Sequence, residues 1–567
     1  MCKNQLIFWL ILLLLGNTQA ATYYVSTGGD DGNNGTADTS PWKTLGKVYA
    51  KAMSGSKFAP GDAILLKAGD VFNREQITLT SGNSGTAGNP IFIGRYGSGN
   101  DPIILGETTN LTWSAVNGHA GVYSAPMTSP SAVDAVGIGS VSLSQRTQGA
   151  DSLDTFLGKF TASQFGFSWD TPTLIYVRTA NDASPANDRL FYYVGVQLNS
   201  ASYIVVTNLN IQRFKMGIQG NTSSGTVVTK CSLADTISTS IYFGAGSSGV
   251  TVASNTVNRC GYTAVYFQTG GNNWVHHNTI SYVTNTIFGI AVNGTELAGV
   301  GLERGTNNIV ERNDFLGLGM SVVDFWYEVG SVVRYNYAFH TGGATYPHGT
   351  GLKVYYNVFD VDGGNGFGGL QAYSAANSPI FDTNPNITYN NVLNGFVSYG
   401  IYCNPLQSTN TIFKNNILVT HLTTTSMAEI GGSITLDNNL WWCDAGSPKQ
   451  WVWDGTAHST WAAYKSASGQ DSHSVMLDPQ FAGGAGATKF ALASQSPAIN
   501  AGSTMFGDAD YSGHSTVGAT DIGAFEYGAS QQEGAPDSGG GIRAKLARVN
   551  KLVLRPGGVP HVPYNPE

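Results

Sequence analysis

Short segments of alternating apolar and polar residues recur along the chain from about residue 200 to residue 445. Each repeat combines a short apolar strand, an Asn, a second short strand, a Gly-rich turn and a third strand, which is typical of strands with one buried face. The repeats read, in order, GTVVTKCSL, GVTVASNTV, NNWVHHNTI, NNIVERNDF, SVVRYNYAF, LKVYYNVFD, PNITYNNVL, NTIFKNNIL and GSITLDNNL. Successive Asn residues lie 21 to 25 residues apart, or 34 to 35 in two places, which predicts one coil of a β-solenoid per repeat and a loop insertion in each long coil.

One Asn recurs at the same place in these repeats, and Cys231 takes that place in the first of them. Stacked at the same bend of successive coils, the side-chain amides can bond the equivalent amides above and below. Asn also tolerates the left-handed backbone that a sharp bend requires. We therefore expect an asparagine ladder between the second and third strands of each coil, formed by Asn255, Asn278, Asn313, Asn336, Asn357, Asn391, Asn416 and Asn439.

The segments before and after the repeats are predicted to cover the open ends of the solenoid. Near the N-terminus, TYYVST leads into SPWKTLGKVYAKA, where Ser40 is expected to cap a helix that begins at Pro41. One apolar face of this helix would plug the first coil, through Trp42, Leu45, Val48, Tyr49 and Ala52.

The first twenty residues have the pattern of a secretory signal peptide: Lys3, an apolar run from Ile7 to Leu15, and a polar stretch that ends at Ala20. The run is shorter than the roughly 20 apolar residues that span a membrane, and no later stretch approaches that length. We expect an exported protein, extracellular or periplasmic, with no membrane span. The chain is divided into a signal peptide (1–20), an N-terminal strand and capping helix (21–60), a parallel β-helix (61–445), a closing segment (446–528) and a flexible tail (529–567).

The composition supports strands and narrows the class of partner. Only 12% of the residues are charged while Gly reaches 72, which favours strands joined by tight turns. The formal net charge of -8 comes without a basic stripe, so we expect no nucleic-acid partner and favour a neutral glycan, or an acidic glycan bridged by a metal. The cysteines after the leader form no CxxC pair and are expected to be buried free thiols, with a Cys231–Cys260 bridge as the alternative.

Several segments together resemble secreted right-handed parallel β-helix proteins of the pectate-lyase-like superfamily: YYVSTGGDDGNNGTADTSPWKTL, GDAILLKAGDVF, the Asn-bearing coils, GQDSHSVMLDPQF, SPAINAGS and DIGAFEYG. The resemblance covers about residues 22–528 and implies an all-β protein, a right-handed single-stranded parallel β-helix with an N-terminal capping helix. The chain has no DPHD of the kind alginate epimerases carry, and no Asp-rich calcium cluster followed by Lys as in pectate lyases. The resemblance therefore implies a fold and a polysaccharide partner, with the protein expected as a monomer, but no particular reaction.

The first strand of each coil carries the substrate groove in that superfamily, so its outward side chains are the candidates for function. These strands are expected in IYFGAG, VYFQTG, VGLERG, VDFWYEVG, GLQAYS and IYCN. Alternation places inside Ile241, Phe243, Val265, Phe267, Val300, Leu302, Val323 and Phe325. It places outside Tyr242, Tyr266, Gln268, Glu303, Asp324, Trp326, Glu328, Gln371, Tyr373, Tyr402 and Asn404.

Carboxylates in this outward set suggest acid–base chemistry. Glu303 should align with Trp326, so that Asp324 and Glu328 each lie one coil away and two residues along, about 8 Å apart in the backbone. That separation is compatible with either a retaining or an inverting glycosidase. We expect Glu303 with Asp324 or Glu328 to supply an acid and a base or nucleophile. The predicted sugar-binding residues are Tyr242, Tyr266, Gln268, Trp326, His348, Tyr373 and Tyr402.

Two alternatives remain open beside the glycoside hydrolase. A polysaccharide lyase would abstract a proton through Arg304 or through a histidine of the loop HTGGATYPHG, His340 or His348, and could require calcium. Otherwise no cofactor and no metal site is expected. Arg334 and Lys353 are basic too but fall on the second strand of their coils, away from the groove. The third reading is a glycan-binding or adhesive solenoid without catalysis.

Overall fold

The computed structural model describes residues 20–528, except 128–132, 139–140, 169, 172, 288–289, 292–296, 362–368, 373–383, 404–409 and 506–508. The predicted leader, apart from its last residue, and the predicted tail lie outside the described residues. Within the described part, no helix combines the length and the apolar character needed to cross a bilayer.

Three parallel sheets wind around one interior as a right-handed parallel β-helix, which confirms the predicted fold class. Each coil runs through the first, second and third wall in turn. The first wall consists of Ile77–Thr80, Asp188–Asn199, Phe214–Asn221, Ile241–Phe243, Val265–Phe267, Gly270–Gly271, Val300–Glu303, Gly305–Thr306, Val323–Val329, Thr345–Thr350, Leu370–Ala372, Tyr399–Cys403, Ser426–Ile430 and Gln450–Trp453.

The other two walls repeat with the same period. The second wall consists of Thr22–Val25, Ala63–Lys67, Ile91–Tyr96, Ile204–Thr207, Val227–Thr229, Thr251–Ala253, Trp274–His276, Ile309–Glu311, Val332–Arg334, Lys353–Tyr355, Asn386–Tyr389, Thr411–Lys414 and Ile434–Asp437. The third wall consists of Val71–Asn73, Ile103–Leu105, Asn210–Gln212, Ser232–Thr236, Thr256–Cys260, Thr279–Val283, Asp314–Leu318, Tyr337–Phe339, Val358–Asp360, Val392–Asn394, Ile417–Thr420, Leu440–Cys443 and Val475–Met476.

The interior is a column of apolar side chains that stack from coil to coil. Every inward residue predicted for the first wall is buried, and the four cysteines after the leader are buried free thiols, as expected. Equivalent rings stack on one another, as Phe243 and Phe267 do with centroids 5.7 Å apart. Because each coil buries its apolar side against its neighbours, the stack stabilises itself along its whole length.

The predicted asparagine ladder is present at the corner between the second and third walls. The side-chain nitrogen of Asn336 donates to Oδ1 of Asn357 at 2.9 Å, and the Asn336 backbone N–H donates to the same oxygen at 3.0 Å. The same two bonds recur from Asn255 to Asn439. The ladder begins at the backbone N–H of Cys231 and ends on the hydroxyl of Ser474.

The expectation that the ladder residues themselves take the left-handed backbone is wrong. The left-handed residue is the one before each of them, with φ between 50° and 58°, from Lys230 and Ser254 to Asn438. This preceding residue makes the turn and faces outward, which leaves the ladder amide free to point into the interior. The type of side chain at the turn therefore varies while the Asn repeats.

The N-terminal helix spans Leu45–Met53 and covers the first coil, but it begins later than predicted. Thr44, rather than Ser40, caps it, because its hydroxyl accepts the Lys47 N–H at 3.2 Å. Leu45, Val48 and Ala52 are buried as expected, whereas Tyr49 is 48% exposed.

An antiparallel insertion lies between residues 107 and 187, within the range 61–445 predicted as parallel β-helix. Its strands are Glu107–Thr109, Ser114–Ala115, Val122–Pro126, Val133–Ile138, Val141–Arg146, Gln164–Phe167 and Leu174–Arg178, with a helix at Leu153–Gly158. It attaches through antiparallel pairing to Asp188–Asn199 and has a small apolar core of its own, around Phe156 and Tyr176. A short hairpin joins Thr286–Ile287 to Ile290–Ala291.

The closing segment ends the solenoid and then folds back along it. The strand Thr456–His458 and the helix Trp461–Ser468 follow the last first-wall strand. A short 3₁₀ turn occurs in this segment at Gly486–Phe490, and another occurs near the N-terminal end of the solenoid at Ser81–Asn83. Later residues cover the outer face of the third wall, where Phe490, Ile522 and Phe525 pack on Val358 and Ile417. The chain itself thus covers part of the third wall, between the strands Tyr337–Phe339 and Leu440–Cys443.

Candidate functional site

The outer face of the first wall carries a row of side chains at one register position. Strand pairing places in this order Gln219, Tyr242, Tyr266, Gly301, Asp324 and Tyr346. Beyond Tyr346 the same position holds Gln371, Tyr402 and Glu429. The predicted groove residues of this row therefore do share one outer face, as the alternation of the strands required.

A second row lies two residues along the same strands. Glu303 pairs directly with Trp326, and His348 follows on the next strand. The predicted alignment of Glu303 with Trp326 is confirmed. Asp324 thus lies one coil from Glu303 and two residues back along the strand, so both carboxyl groups face the same part of the wall.

Glu303 is held by two hydrogen-bond donors. The Tyr266 hydroxyl donates to one carboxylate oxygen, and the Arg304 guanidinium donates to the other. Tyr266 reaches Glu303 by lying across Gly301: a Cβ at Gly301 would come within 2.4 Å of Cδ2 of the Tyr266 ring. Donors on both oxygens stabilise a negative charge on this carboxylate.

Asp324 has a different environment, because aromatic rings cover it. The residue is only 2% exposed, and the Trp326 indole N–H donates to its Oδ2 at 3.1 Å. The Trp326 ring lies 4.8 Å from the His348 ring, which lies 4.7 Å from the Tyr346 ring. Burial lowers the pKa of His348 to about 4, so this imidazole is neutral at neutral pH.

The prediction that Glu328 points outward is wrong. It is fully buried and accepts hydrogen bonds from the Gly305 N–H at 2.6 Å, the Asn308 side chain at 3.0 Å and the Ser331 hydroxyl at 2.6 Å. The cause is a bulge at Tyr327, whose φ of 58° adds one residue and reverses the alternation of the strand. Glu328 therefore ties together the corner between the first and second walls, and burial raises its pKa despite these bonds.

Tyr242 and Gln268 extend the face on the side of Tyr266. The Tyr242 hydroxyl donates to Oε1 of Gln268 at 2.5 Å, and the Tyr242 and Tyr266 rings stack with centroids 5.8 Å apart. Burial raises the pKa of Tyr242, and the nearby negative charge of Glu303 raises it further. These residues form a rigid polar and aromatic surface next to Glu303. Tyr373 and Asn404, predicted on the other side, lie outside the described residues.

Of the basic candidates, Arg304 and His348 lie at the groove, whereas Arg334 and Lys353 do not. His348 lies within the first-wall strand Thr345–Thr350 rather than in a loop with His340, which follows a third-wall strand and is exposed. The expectation of one histidine loop is therefore wrong. Arg334 and Lys353 lie on the second wall, as predicted, and Arg334 is paired with Glu311 there at 2.6 Å. Within the described residues, no three His, Cys, Asp or Glu side chains cluster closely enough to hold a metal ion.

A cavity of about 380 Å³ adjoins the row beyond Asp324. Tyr346, Gln371, Tyr399 and Tyr402 line it together with small residues such as Ser321. Sequence reasoning missed Ser321, Tyr346, Tyr399 and Glu429 as site residues. The alternation in SMAEI, extended one coil beyond IYCN, would have placed Glu429 on this face, whereas Ser321 precedes its strand and gave no such signal.

The comparisons with known proteins agree with the fold. A family model described as a right handed beta helix region matches residues 167–296. A solved structure titled as the complex of XylC with xylose is 13% identical, has a TM-score of 0.54, and covers 89% of this chain and 98% of that chain. At this identity the likeness shows the shared fold alone.

One curated relative matches a short part of the chain. The lacto-N-biosidase of Bifidobacterium longum subsp. longum is 40% identical over 90 residues, which are 15% of this chain and 5% of that protein. The chain thus covers a small fraction of that relative's length. The solved lacto-N-biosidase from Eubacterium ramulus is 15% identical with a TM-score of 0.42, and covers 76% of this chain and 70% of that chain.

Proposed function

We propose that this right-handed parallel β-helix protein of the pectate-lyase-like fold is an exported carbohydrate-active enzyme that hydrolyses glycosidic bonds in a neutral glycan. The observation that carries the proposal is the placement of Glu303 and Asp324. They lie on neighbouring strands of one open wall, among rings that can stack on sugars.

The different surroundings of the two carboxyl groups assign their roles. Glu303 accepts hydrogen bonds on both oxygens and serves as the negatively charged base or nucleophile. Asp324 is buried beside the Trp326 ring, and we assign it as the acid that protonates the leaving oxygen. Two carboxyl groups in unequal environments are what glycoside hydrolysis needs.

The charges of the groove favour a neutral sugar. A lyase needs a cation or metal to neutralise the uronate carboxylate and a base to remove the neighbouring proton. Arg304, the cation beside Glu303, already donates to that carboxylate. An acidic polymer laid along this face would also meet Glu429. These contacts support hydrolysis over β-elimination.

The short match to a lacto-N-biosidase supports the same class of reaction. Forty per cent identity over 90 residues is far above the level of the solved structures reported above, and the name of that protein is that of a glycosidase. Because the match covers a twentieth of that protein, we take from it the reaction class and not its substrate.

The test is a screen of purified protein against neutral and uronic-acid polysaccharides and oligosaccharides. We expect new reducing ends without ultraviolet absorbance from an unsaturated uronide. Glu303→Gln and Asp324→Asn should each lower kcat roughly 10²–10⁴-fold, as expected for loss of an acid or base. Glu311→Gln, a carboxylate of the second wall, is the matched control and should retain activity.

Two other outcomes would support the alternative functions, a lyase or a binding protein. Absorbance from unsaturated products would identify a lyase and contradict the assigned roles. Glycan binding without turnover, unaffected by Glu303→Gln or Asp324→Asn, would identify a binding protein. In either case the carboxylate pair would lose its proposed catalytic role.

A further inference from the structure

The cavity beside the groove lies one strand beyond Asp324. Tyr346, one of its lining residues, pairs directly with Asp324 in the sheet. Gln371 and Tyr402 continue the same outward row along the cavity. A glycan whose cleaved bond lies between Glu303 and Asp324 would therefore place its next unit here.

A buried hydroxyl in this cavity has no partner within the described residues. Ser321 is 5% exposed and lines the cavity, yet its Oγ makes no hydrogen bond there. Buried polar groups in proteins are almost always paired, and an unpaired one costs about 1–3 kcal/mol. A ligand hydroxyl in the cavity would supply the missing partner after the Ser321 side chain rotates toward the cavity.

The far wall of the cavity is aromatic, and a carboxylate lies beside it. Tyr399 and Tyr402 have ring centroids 5.2 Å apart, and Tyr402 pairs with Glu429 on the next strand. Tyr399 hydrogen-bonds Glu429, and its pKa is raised by burial and by that carboxylate. The described lining residues include no Lys, Arg or His. A uronate here would face a like charge with no cation to balance it.

The size of the cavity suits a small sugar. Ligand sites commonly occupy about 300–1,000 Å³, and this cavity of about 380 Å³ is near the lower bound. Such a space fits a sugar of one or two rings. The rings of Tyr399 and Tyr402 offer apolar contact, while Ser321 and Gln371 offer polar contact. Sugar sites usually combine aromatic rings with polar side chains in this way.

We propose that this cavity is the specificity subsite for a neutral sugar unit next to the cleaved bond, on the Asp324 side. Ser321 and Gln371 bond its hydroxyls, and Tyr402 packs against its ring. The position relative to the cleaved bond rests on the proposed function. The binding of a neutral sugar does not.

The experiment measures sugar binding by titration calorimetry and ligand-observed NMR on Glu303→Gln, which is not expected to turn over. The probes are xylose, galactose, N-acetylglucosamine, their β-linked disaccharides, and galacturonate with its dimer. We expect at least one neutral sugar to bind and the galacturonates not to bind. Ser321→Ala and Gln371→Ala should each weaken the binding about tenfold, and Tyr402→Ala should weaken it by at least as much. Tyr49→Ala, which removes an exposed Tyr of the capping helix, should change nothing.

Binding of no neutral sugar, or binding that Ser321→Ala and Tyr402→Ala leave unchanged, would overturn the proposal. So would tighter binding of galacturonate than of the neutral sugars. Failure here is separable from failure of the proposed function. Hydrolysis with an unaltered KM in Ser321→Ala and Tyr402→Ala would leave the hydrolase and refute the subsite. Sugar binding that these variants abolish, in a protein that cleaves nothing, would support the sugar site and refute the hydrolase.

Discussion

Two parts of each coil can be compared position by position: the corner between the second and third walls, and the outer face of the first wall. The corner repeats one side chain from Asn255 to Asn439, with the same two hydrogen bonds at each step. The outer face changes from strand to strand, through Tyr242, Tyr266, Gly301, Asp324, Tyr346, Gln371, Tyr402 and Glu429.

Both parts are built from the same backbone register, so the fold does not impose this variety. Stacking alone rewards repetition, because identical side chains at identical positions satisfy one another. Stacking between coils therefore does not explain why the outward residues differ from strand to strand. The comparison indicates that the repeated Asn residues stabilise the fold, and it leads us to expect a ligand where the outward side chains change from strand to strand.

The largest effect is expected from contrasting the two buried carboxylates of the strand Val323–Val329. Asp324→Asn should lower kcat roughly 10²–10⁴-fold with little change in unfolding free energy, because it removes an acid from the groove. Glu328→Gln should lower the unfolding free energy with little change in kcat, because its amide cannot accept all three hydrogen bonds that the carboxylate now accepts. Steady-state kinetics and chemical denaturation on both variants measure the contrast. Equal loss of activity in two well-folded variants would contradict it.

A substitution in the asparagine ladder should lower the stability of the fold without changing kcat. Asn336→Ala removes hydrogen bonds to Val310, Arg334 and Asn357. It also leaves the ladder amides of the neighbouring coil without their partner. We expect a loss of about 2–4 kcal/mol in unfolding free energy, because buried donors and acceptors are left unpaired. Chemical denaturation measures it, with exposed Asn100→Ala as the control. Below its unfolding transition, Asn336→Ala should keep the wild-type kcat. A lower kcat would mean that the corner also positions the groove.

Asp314 tests whether a half-buried carboxylate outside the groove affects stability only. It lies on the third wall, burial raises its pKa to about 7, and its Oδ2 has no partner within the described residues. Because the folded pKa is raised above the unfolded value, this group favours folding at low pH, and that contribution is lost as pH rises from about 4 to 7.

Asp314→Asn should therefore be more stable than wild type at pH 8, by about 1–3 kcal/mol, and nearly equal to it at pH 4. Denaturation curves at both pH values measure this difference. The pH profile of kcat should not move. A shift in that profile would mean that the third wall takes part in the chemistry, and the distinction between the walls would fail.

Most of the fold could be predicted because it repeats. The ladder, the inward residues and the pairing of Glu303 with Trp326 all follow from a constant period combined with strand alternation. These features depend on local rules that apply again at every coil. The insertion between residues 107 and 187 breaks the repeat with antiparallel strands, so no period could reveal it.

The site was harder to predict, because small departures from the repeat decide it. One left-handed residue, Tyr327, reverses the alternation and turns Glu328 inward, although the sequence around it reads as an ordinary strand. Ser321 enters the cavity from the residues that precede a strand, where alternation gives no direction. Glu429 was within reach of the sequence, since the register extends to it beyond Tyr402.

The smallest effect is expected from removing one hydrogen bond of the groove. Trp326→Phe keeps a ring beside His348 but loses the N–H that donates to Asp324. As a positioning residue, Trp326 should affect kcat about tenfold, KM little, and the pH profile of kcat measurably. Trp274→Phe is the matched control, because Trp274 makes the equivalent bond to Glu311 on the second wall at 2.9 Å. Each variant loses one hydrogen bond from an indole N–H to a carboxylate. If the Trp326 bond is merely structural, the two variants should change in stability by similar amounts, and neither should shift the pH profile of kcat. A shift in Trp326→Phe alone would place the bond in the reaction.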